Sequence, residues 1–224
     1  MGVFLDRDGT LIQDHNHVYK TSELNVLMGV CEGLRKLQEA FHLFIVTNQS
    51  GIGRGIFTEE EMTVFHEHLL EVLCQEKIRI QKIYYCPHRP EEGCGCRKPK
   101  PQFLAEARET FSIDLPSSWV IGDKACDIQL AQAGGCSSIF VMTGTERTRQ
   151  RELEEVREQP PTYFAADFLQ AANFILTDSS AKFVSGEQLP KLIEAKRAAG
   201  KTICTIWIRP PSLSTVGASM QFAP

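Results

Sequence analysis

Short apolar runs alternate with segments of helical period along most of the chain. The runs at 3–5, 43–46, 80–85, 119–121 and 138–141 have the length and the β-branched content of strands. Helical patterns occupy 30–40, 102–112 and 125–133, and a further helix starts after Thr58, where three glutamates occupy the first turn. This alternation predicts an α/β fold, with a mostly parallel sheet, helices on both faces and ligands outside the carboxyl ends of the strands.

The size and charge of the chain limit its partners. With 224 residues it can form one domain plus an appendage, and its net charge of −4 gives no electrostatic reason to expect nucleic acid or a membrane surface. No apolar run approaches the roughly 20 residues that cross a bilayer, and the acidic start is unlike a signal peptide. We therefore expect a cytoplasmic protein, whose eight cysteines are thiols or metal ligands and not disulfides.

Polar side chains follow the predicted strands at their carboxyl ends. Asp6 and Asp8 follow the first strand, Thr47 the second, Cys86 the third and Asp123 the fourth. Residues i and i+2 of an extended segment point the same way, so both carboxylates of Asp6 and Asp8 can face one small volume, where their repulsion favours a cation or a proton. The alternative is a turn on Gly9, but polar clusters would then be equally frequent at the opposite strand ends.

A second constellation lies in the loop after the third predicted strand. It contains Cys86, His88, Cys94 and Cys96. Three thiolates and one imidazole form a complete tetrahedral ligand set, which is typical of structural zinc; scattered cytosolic thiols are the alternative. A bound Zn²⁺ would order a loop that has no core of its own, and it would fix Arg97 and Lys98, which follow directly.

Four short motifs occur in a fixed order along the chain. They are Asp6-Arg-Asp-Gly-Thr10, Thr47, Lys98 within Arg97-Lys-Pro-Lys-Pro101, and Gly122-Asp-Lys124 with Asp127. This order resembles the haloacid dehalogenase (HAD) superfamily of phosphotransferases. Thr47-Asn-Gln-Ser-Gly-Ile52 and the Cys/His loop are similar to the heptose 1,7-bisphosphate phosphatases and their relatives, the histidinol-phosphate phosphatases. The resemblance covers residues 1–176 and implies a Rossmann-like HAD fold, and the motif spacing leaves no room for a large cap domain.

The resemblance implies a role for each catalytic side chain. Asp6 would attack phosphorus and form an aspartyl phosphate, which divides one difficult step into two easier ones. Asp8 would act as general acid and then as general base. Thr47 and Lys98 would stabilise the charge on the phosphoryl oxygens. Gly9 would allow the backbone to approach the phosphate closely.

The resemblance also implies a catalytic Mg²⁺. Its ligands would be the carboxylate of Asp6, the backbone carbonyl of Asp8 and the carboxylate of Asp123, with waters completing an octahedron. Asp127 would orient Lys124 or the metal-bound waters; alternatively it is only an acid in the first turn of a helix.

Substrate contacts are carried over from the same relatives. They are Asp14, His15, Asn16, His17, Thr47, Asn48, Gln49, Ser50, Arg97, Lys98 and Lys124. The relatives tend to have Gly and Tyr at the positions of Asn16 and His17, so solvated loop residues are an alternative there. Arg97 suits a second phosphate, which favours a bisphosphate over histidinol phosphate.

The expected activity is therefore Mg²⁺-dependent removal of the 7-phosphate of D-glycero-D-manno-heptose 1,7-bisphosphate, in the supply of activated heptose for lipopolysaccharide. A histidinol-phosphate phosphatase and an inactive, zinc-ordered binding module are the alternatives. We expect a monomer that acts on a small phosphorylated sugar and binds neither nucleic acid nor membrane.

The segment 177–224 raises a separate question. It begins with a polar link and then resembles the opening of a heptose-phosphate nucleotidyltransferase domain, but the Asn-Gly-x-Phe-Asp turn and the His-x-Gly-His motif of that family are missing. The sequence thus predicts a truncated, mobile stub, and a linker helix with a tail is the alternative.

Overall fold

The computed structural model describes residues 1–181 of the chain. The backbone divides into two units, Met1–Asn173 and Phe174–Pro224, and the first contains the whole sheet. Residues 177–181, expected to form a polar link, are helical. The predicted nucleotidyltransferase-like stub lies, from residue 182 onward, outside the described residues.

Six parallel strands form one sheet in the order β3-β2-β1-β4-β5-β6, which confirms the predicted fold class. The strands are β1 (Gly2–Leu5), β2 (His42–Asn48), β3 (Ile80–Cys86), β4 (Trp119–Gly122), β5 (Ser137–Val141) and β6 (Tyr163–Ala165). The helices are α1 (Val30–Leu37), α2 (Glu59–Gln75), α3 (Gln102–Phe111), α4 (Ala125–Gly134), α5 (Glu146–Glu155) and α6 (Phe168–Ala181). The sequence predicted β1–β5 and α1–α4; it missed α5, β6 and α6.

The central strand β1 is buried on both faces, which explains why its sequence is continuously apolar and does not alternate. Val3, Phe4 and Leu5 have no exposed surface. On one face the ring of Phe4 stacks on that of Phe44 in β2, with 5.1 Å between centroids, and both belong to a cluster with Leu104 of α3. The sheet centre is therefore a rigid base for the residues that follow β1.

Helix α2 begins as its sequence predicts. The Thr58 hydroxyl accepts a hydrogen bond from the Glu61 amide at 3.1 Å, and the Glu61 carboxylate accepts one from the Thr58 amide at 2.8 Å. This reciprocal pair satisfies two amides that have no partner inside the helix. The buried face of α2 contains Met62, Phe65 and, among these apolar residues, His66.

Strand order reverses at β1, because β2 lies on one side of it and β4 on the other. In such sheets the crevice for ligands opens at the carboxyl ends of the strands next to this switch point. The residues after β1, β2 and β4 therefore meet in one place. Within the described residues, no helix is long and apolar enough to cross a membrane.

Candidate active site

Asp6 lies at the carboxyl end of β1, almost completely buried. Its amide donates to the carbonyl of Ile121 in β4 at 2.9 Å, which fixes the backbone beside the neighbouring strand. Its carboxylate lies 2.7 Å from Lys98 Nζ through Oδ1 and 3.7 Å from Lys124 Nζ through Oδ2. Burial alone would raise the pKa of Asp6, but the two ammonium groups hold that pKa below its ordinary value. Asp6 is therefore kept as a carboxylate.

Lys98 has three oxygen neighbours at equal distance. Its Nζ lies 2.7 Å from Asp6 Oδ1, 2.7 Å from the Val46 carbonyl and 2.7 Å from Asp127 Oδ1. Burial opposes the charged form, but Asp127 and Asp6 together raise the pKa of Lys98 above its ordinary value. Two of these oxygens, Asp6 Oδ1 and the Val46 carbonyl, accept hydrogen bonds from Nζ, and the Asp127 carboxylate adds an ion pair, so the charge of Lys98 is fixed in place.

The side chain of Asn48 holds the backbone of Lys98. Asn48 Oδ1 accepts from the Lys98 amide at 3.1 Å, and Asn48 Nδ2 donates to the Lys98 carbonyl at 3.3 Å. The sequence placed Asn48 among the substrate contacts, whereas the structure shows it joining the end of β2 to the Lys98 loop across 50 positions of chain.

The sequence allowed two roles for Asp127, orienting Lys124 or the metal-bound waters and being a first-turn acid of a helix. In the structure its carboxylate has two partners. One oxygen forms the ion pair with Lys98; the other accepts from the Lys124 amide at 3.1 Å and caps α4. Burial raises the pKa of Asp127 to about 6, against the opposing charge of Lys98. The residue therefore acts both as the predicted first-turn acid and as a second counter-charge for Lys98.

A group of buried acids lies next to this network. Ligand atoms of Asp6, Asp123 and Asp127 lie within 4.8 Å of one another. Burial raises the pKa of Asp123 well above its ordinary value, and the nearby carboxylates add to this effect against the opposing charge of Lys124. Such a group favours a bound cation, because Lys98 and Lys124 offset only part of the repulsion among these carboxylates.

Lys124 indicates where that cation fits. Its Nζ lies 3.2 Å from the Asp8 carbonyl, 3.7 Å from Asp6 Oδ2 and 3.9 Å from Asp123 Oδ2, the three residues that the sequence predicts as magnesium ligands. A fourth oxygen, from Asp14, lies 3.5 Å away. The ammonium group thus collects the oxygens of the expected site, and carboxylate and carbonyl oxygens are the donors that Mg²⁺ prefers.

Small residues enclose Asp123. A Cβ on Gly9 would lie 2.5 Å from Asp123 Oδ2, and the φ of Gly9 is +87°. A Cβ on Gly144 would also collide with this carboxylate, and Thr10 donates to it at 3.2 Å. Gly9 was expected to let the backbone approach the phosphate closely. The structure shows a second reason for glycine at this position, which is the close approach of the Asp123 carboxylate.

The carboxylate of Asp8 has different partners from that of Asp6. The Arg7 guanidinium donates to both of its oxygens, from Nε to Oδ2 at 3.1 Å and from Nη2 to Oδ1 at 3.0 Å, and Gln49 Nε2 donates to Oδ2 at 2.8 Å. The two acids of the opening motif are thus separated in their electrostatics, one neutralised by lysines and the other by arginine. Arg7 was not among the residues predicted for the site, although it lies between Asp6 and Asp8 in the opening motif.

Thr47 lies at the carboxyl end of β2 and is buried. Its hydroxyl accepts from Gln49 Nε2 at 2.8 Å, and a hydroxyl that accepts one bond can still donate its own proton. Gln49 thereby links Thr47 to Asp8, and the half-buried Ser50 follows it.

The loop after the first motif contains the remaining expected substrate contacts. The Asn16 amide donates to Asp14 Oδ1 at 2.8 Å, and Asn16 and His17 have φ values of 66° and 58°. Asp14 approaches Lys124, whereas the side chains of His15 and Asn16 are exposed. The structure thus brings one of these four residues, Asp14, into contact with the charged centre through the Lys124 ammonium.

The predicted zinc ligands converge. Cys94 Sγ lies 3.5 Å from Cys86 Sγ and 3.6 Å from Cys96 Sγ, and His88 Nδ1 lies 3.6 Å from Cys86 Sγ and 3.4 Å from Cys96 Sγ. A tetrahedral zinc ion with bonds of about 2.3 Å to sulfur and about 2.0 Å to nitrogen separates its ligand atoms by about 3.5–3.8 Å. The geometry of the loop therefore fits such an ion.

Backbone bonds tie the Cys/His loop to the loop after β2. The Gln49 amide donates to the Cys86 carbonyl at 2.7 Å, and the Gly53 amide donates to the Pro87 carbonyl at 3.0 Å. Arg97 Nη1 donates to the His88 carbonyl at 3.3 Å, so this predicted substrate contact is anchored on the same loop.

Relatives of known sequence resemble the chain over most of their own length. Residues 95–171 match the family model described as HAD-hydrolase-like. The D-glycero-beta-D-manno-heptose-1,7-bisphosphate 7-phosphatase of Yersinia pestis is 39% identical over 159 residues, which cover 67% of this chain and 85% of that protein. The phosphatase of the same name from Vibrio cholerae serotype O1 is 38% identical over 173 residues, which cover 70% and 93%.

A solved structure gives a similar result. The D,D-heptose 1,7-bisphosphate phosphatase from B. bronchiseptica, complexed with magnesium and phosphate, superposes with a TM-score of 0.72 at 29% identity, covering 80% of this chain and 99% of that one. Since the likeness spans nearly the whole of that protein, it concerns the complete domain and not one motif.

Proposed function

Because the chain belongs to the HAD-like hydrolase family, and within it to the heptose-1,7-bisphosphate 7-phosphatases, we infer that it is a phosphoric monoester hydrolase that removes the 7-phosphate of D-glycero-D-manno-heptose 1,7-bisphosphate. The observation that carries this inference is the buried carboxylate of Asp6 between two ammonium groups at the switch point of the sheet. Two positive charges stabilise an anionic nucleophile there, at the strand ends where ligands bind in such sheets.

We assign the first chemical step to Asp6 and Asp8. A carboxylate oxygen of Asp6 forms a bond to phosphorus while the bond between phosphorus and the sugar oxygen breaks, and the electron pair of that bond goes to the sugar oxygen. Asp8 supplies the proton which that oxygen needs to leave as an alcohol. The Thr47 hydroxyl donates towards the phosphoryl group, and the positive charge of Lys98 beside Asp6 stabilises the negative charge that develops there.

The second step regenerates the enzyme. A water molecule attacks phosphorus, Asp8 takes its proton, and the bond between Asp6 and phosphorus breaks, so that inorganic phosphate leaves and Asp6 becomes a carboxylate again. Lys98 remains beside Asp6 throughout, because its contacts to Asp127 and to the Val46 carbonyl do not depend on the substrate.

We propose Mg²⁺ as the catalytic cofactor, bound by the Asp6 carboxylate, the Asp8 carbonyl and the Asp123 carboxylate. When bound, it reduces the repulsion between the anionic nucleophile and the anionic phosphate. The contacts of Lys124 with the same three residues support this ligand set. Zn²⁺ is proposed as a structural ion at Cys86, His88, Cys94 and Cys96, on the distances between their ligand atoms.

We propose that the sugar and its second phosphate contact Arg97, Lys124 and the loop residues Asp14, His15, Asn16 and His17. A guanidinium suits a second phosphate through paired hydrogen bonds, which favours a bisphosphate. The monomeric state, the cytoplasmic location and the role in lipopolysaccharide synthesis stay predictions.

The test is a comparison of kcat/KM on the two anomers of the heptose bisphosphate and on histidinol phosphate, in Mg²⁺, with the position of the remaining phosphate determined by mass spectrometry. We expect clear preference for the bisphosphate and retention of the 1-phosphate. Faster turnover of histidinol phosphate would overturn the substrate assignment, and an inactive protein in Mg²⁺ would overturn the proposed function as a whole.

A further inference from the structure

Arg7 is a fully buried cation outside the set of residues assigned to the reaction. Its guanidinium lies between the end of β1 and the buried face of α2, 4.7 Å from the centroid of the Phe65 ring. Two of its nitrogens donate to the Asp8 carboxylate, as described above. A buried arginine cannot lose its charge, so every N–H of this group requires an acceptor.

The third nitrogen of Arg7 turns away from Asp8 towards α2. Nη1 lies 3.0 Å from His66 Nε2 and 2.9 Å from Met62 Sδ. Because Nη1 can only donate, the His66 Nε2 must accept, and the imidazole is therefore neutral with its proton on Nδ1. Burial, followed by the charge of Arg7, lowers the pKa of His66 to about 3, which agrees with this tautomer.

The same guanidinium also contacts the loop expected to meet the substrate. Nη2 donates to the Val18 carbonyl at 2.7 Å, one residue after His17. Arg7 thus joins the neighbouring acid Asp8 and the nearby loop at residues 14–18 to helix α2, whose contacting residues lie 55 and 59 positions further along the chain.

We propose that Arg7 is a positioning residue for Asp8, and that His66 on α2 sets the orientation of Arg7. The carboxylate of Asp8 is held from two sides, by the guanidinium fork and by Gln49. Without the acceptor at His66, one N–H of Nη1 would have no partner, and the guanidinium would rotate to find another acceptor. Asp8 would then lose its paired hydrogen bonds from Arg7 and keep the one from Gln49. The inference rests on the proposed function, because it concerns how Asp8, the general acid of the proposed reaction, is aligned.

The experiment compares two substrates that need the acid to different degrees. The alkoxide of a sugar is a poor leaving group and requires a proton from Asp8, whereas p-nitrophenyl phosphate releases a stable anion that does not. The value of kcat/KM reports the steps up to phosphoryl transfer, so its ratio for the two substrates measures how well the acid is aligned. A change that only destabilises the fold lowers both values by the same factor.

The variants are His66→Leu, which leaves Nη1 with Met62 Sδ as its remaining acceptor, and His66→Gln, which retains an acceptor at position 66. Leu73→Val, at another buried position of α2, is the control for packing. We expect His66→Leu to lower kcat/KM on the heptose bisphosphate roughly tenfold more than on p-nitrophenyl phosphate, the size of a lost hydrogen bond to a charged group. His66→Gln should recover most of the difference, and Leu73→Val should leave the ratio unchanged.

Equal losses on both substrates for His66→Leu, or no recovery in His66→Gln, would overturn the positioning role and leave the proposed function intact. If His66→Leu does not fold, Arg7→Lys gives the same test, since it keeps the buried charge but loses the two-point contact with Asp8. There, too, a larger loss on the bisphosphate is expected and an equal loss refutes the proposal. A wild-type protein that hydrolyses neither substrate would overturn the proposed function and this inference together.

Discussion

The charged centre around Asp6 and the Cys/His loop are both built from chemically demanding residues, yet they are assembled in opposite ways. The four loop ligands come from residues 86–96, and three of them are half exposed. In contrast, the ion pair between Asp6 and Lys98 joins residues 92 positions apart, and both side chains are at least 95% buried. One site is local in sequence and the other exists only in the folded sheet.

This difference implies different dependence on the surrounding protein. A short loop with few buried apolar residues needs its cation to become ordered. A buried network of charges needs all of its members, because removal of one partner leaves the other charge buried and uncompensated. The backbone bonds from Gln49 and Gly53 to the loop make the second site partly dependent on the first.

The largest effect should come from the nucleophile. Asp6→Asn should lower kcat by about 10⁴-fold or more, because an amide cannot form the covalent intermediate. Zinc content, measured by metal analysis, should be unchanged, since the Cys/His loop does not use Asp6. Retained turnover would place the nucleophile elsewhere, and a loss of zinc would contradict the independence of the loop from the charged centre.

Loss of a ligand from the Cys/His loop should have a smaller effect, in which a change at the zinc site lowers activity at the charged centre. Cys94→Ser should release zinc and lower kcat/KM about 10–100-fold, as expected when residues that orient a site are disordered. Exposed Cys74, converted to Ser, is the matched control. Normal activity in zinc-free Cys94→Ser protein would show that Asn48 and the partners of the Lys98 ammonium group hold Lys98 without the zinc ion.

A change at Lys124 tests the acidic cluster without removing an acid. In Lys124→Gln the carboxylates of Asp6 and Asp123 lose a nearby positive charge, so the melting temperature without Mg²⁺ should fall by about 2–4 °C for each kcal/mol lost. Addition of Mg²⁺ should then raise it more than in the wild type. The variant Lys36→Gln, at a lysine outside this cluster, controls for net charge. Equal Mg²⁺ responses in both variants would count against the proposed ligand set.

The smallest effect concerns acid stability. The pKa of His66 is lowered to about 3 in the folded state, below its ordinary value of 6.5, so the unfolded chain binds a proton that the folded chain does not. Its contribution to stability is therefore complete above pH 6.5 and is lost as the pH falls towards 3. Denaturant unfolding at several pH values should show that the free energy of unfolding depends less steeply on pH in His66→Gln than in the wild type. An unchanged slope would contradict a neutral, buried imidazole.

Local patterns in the sequence predicted much of the molecule. The apolar runs indicated five of the six strands in the described sheet. Thr58 and the glutamates after it indicated the start of α2, and the Cys/His spacing indicated the ligands that converge in the loop. Helix α5 was missed because its sequence is almost wholly polar, with only Glu152 buried among its residues. The short strand β6 was missed as well, because a segment of three residues is too short to show the alternation of apolar and polar residues that identifies a strand.

The sequence by itself determined which residue types stand at the carboxyl ends of the strands, since strand length and turn chemistry are local properties. Only the tertiary structure decided which charges neutralise which: that Lys98 lies between Asp6 and Asp127, that Asn48 bonds to the backbone of Lys98, and that Arg7 joins Asp8 to His66. The physical reason is that charge pairing in a buried site depends on distances of a few ångströms between residues far apart in the chain. These distances are fixed by strand order and helix packing, which no single motif contains.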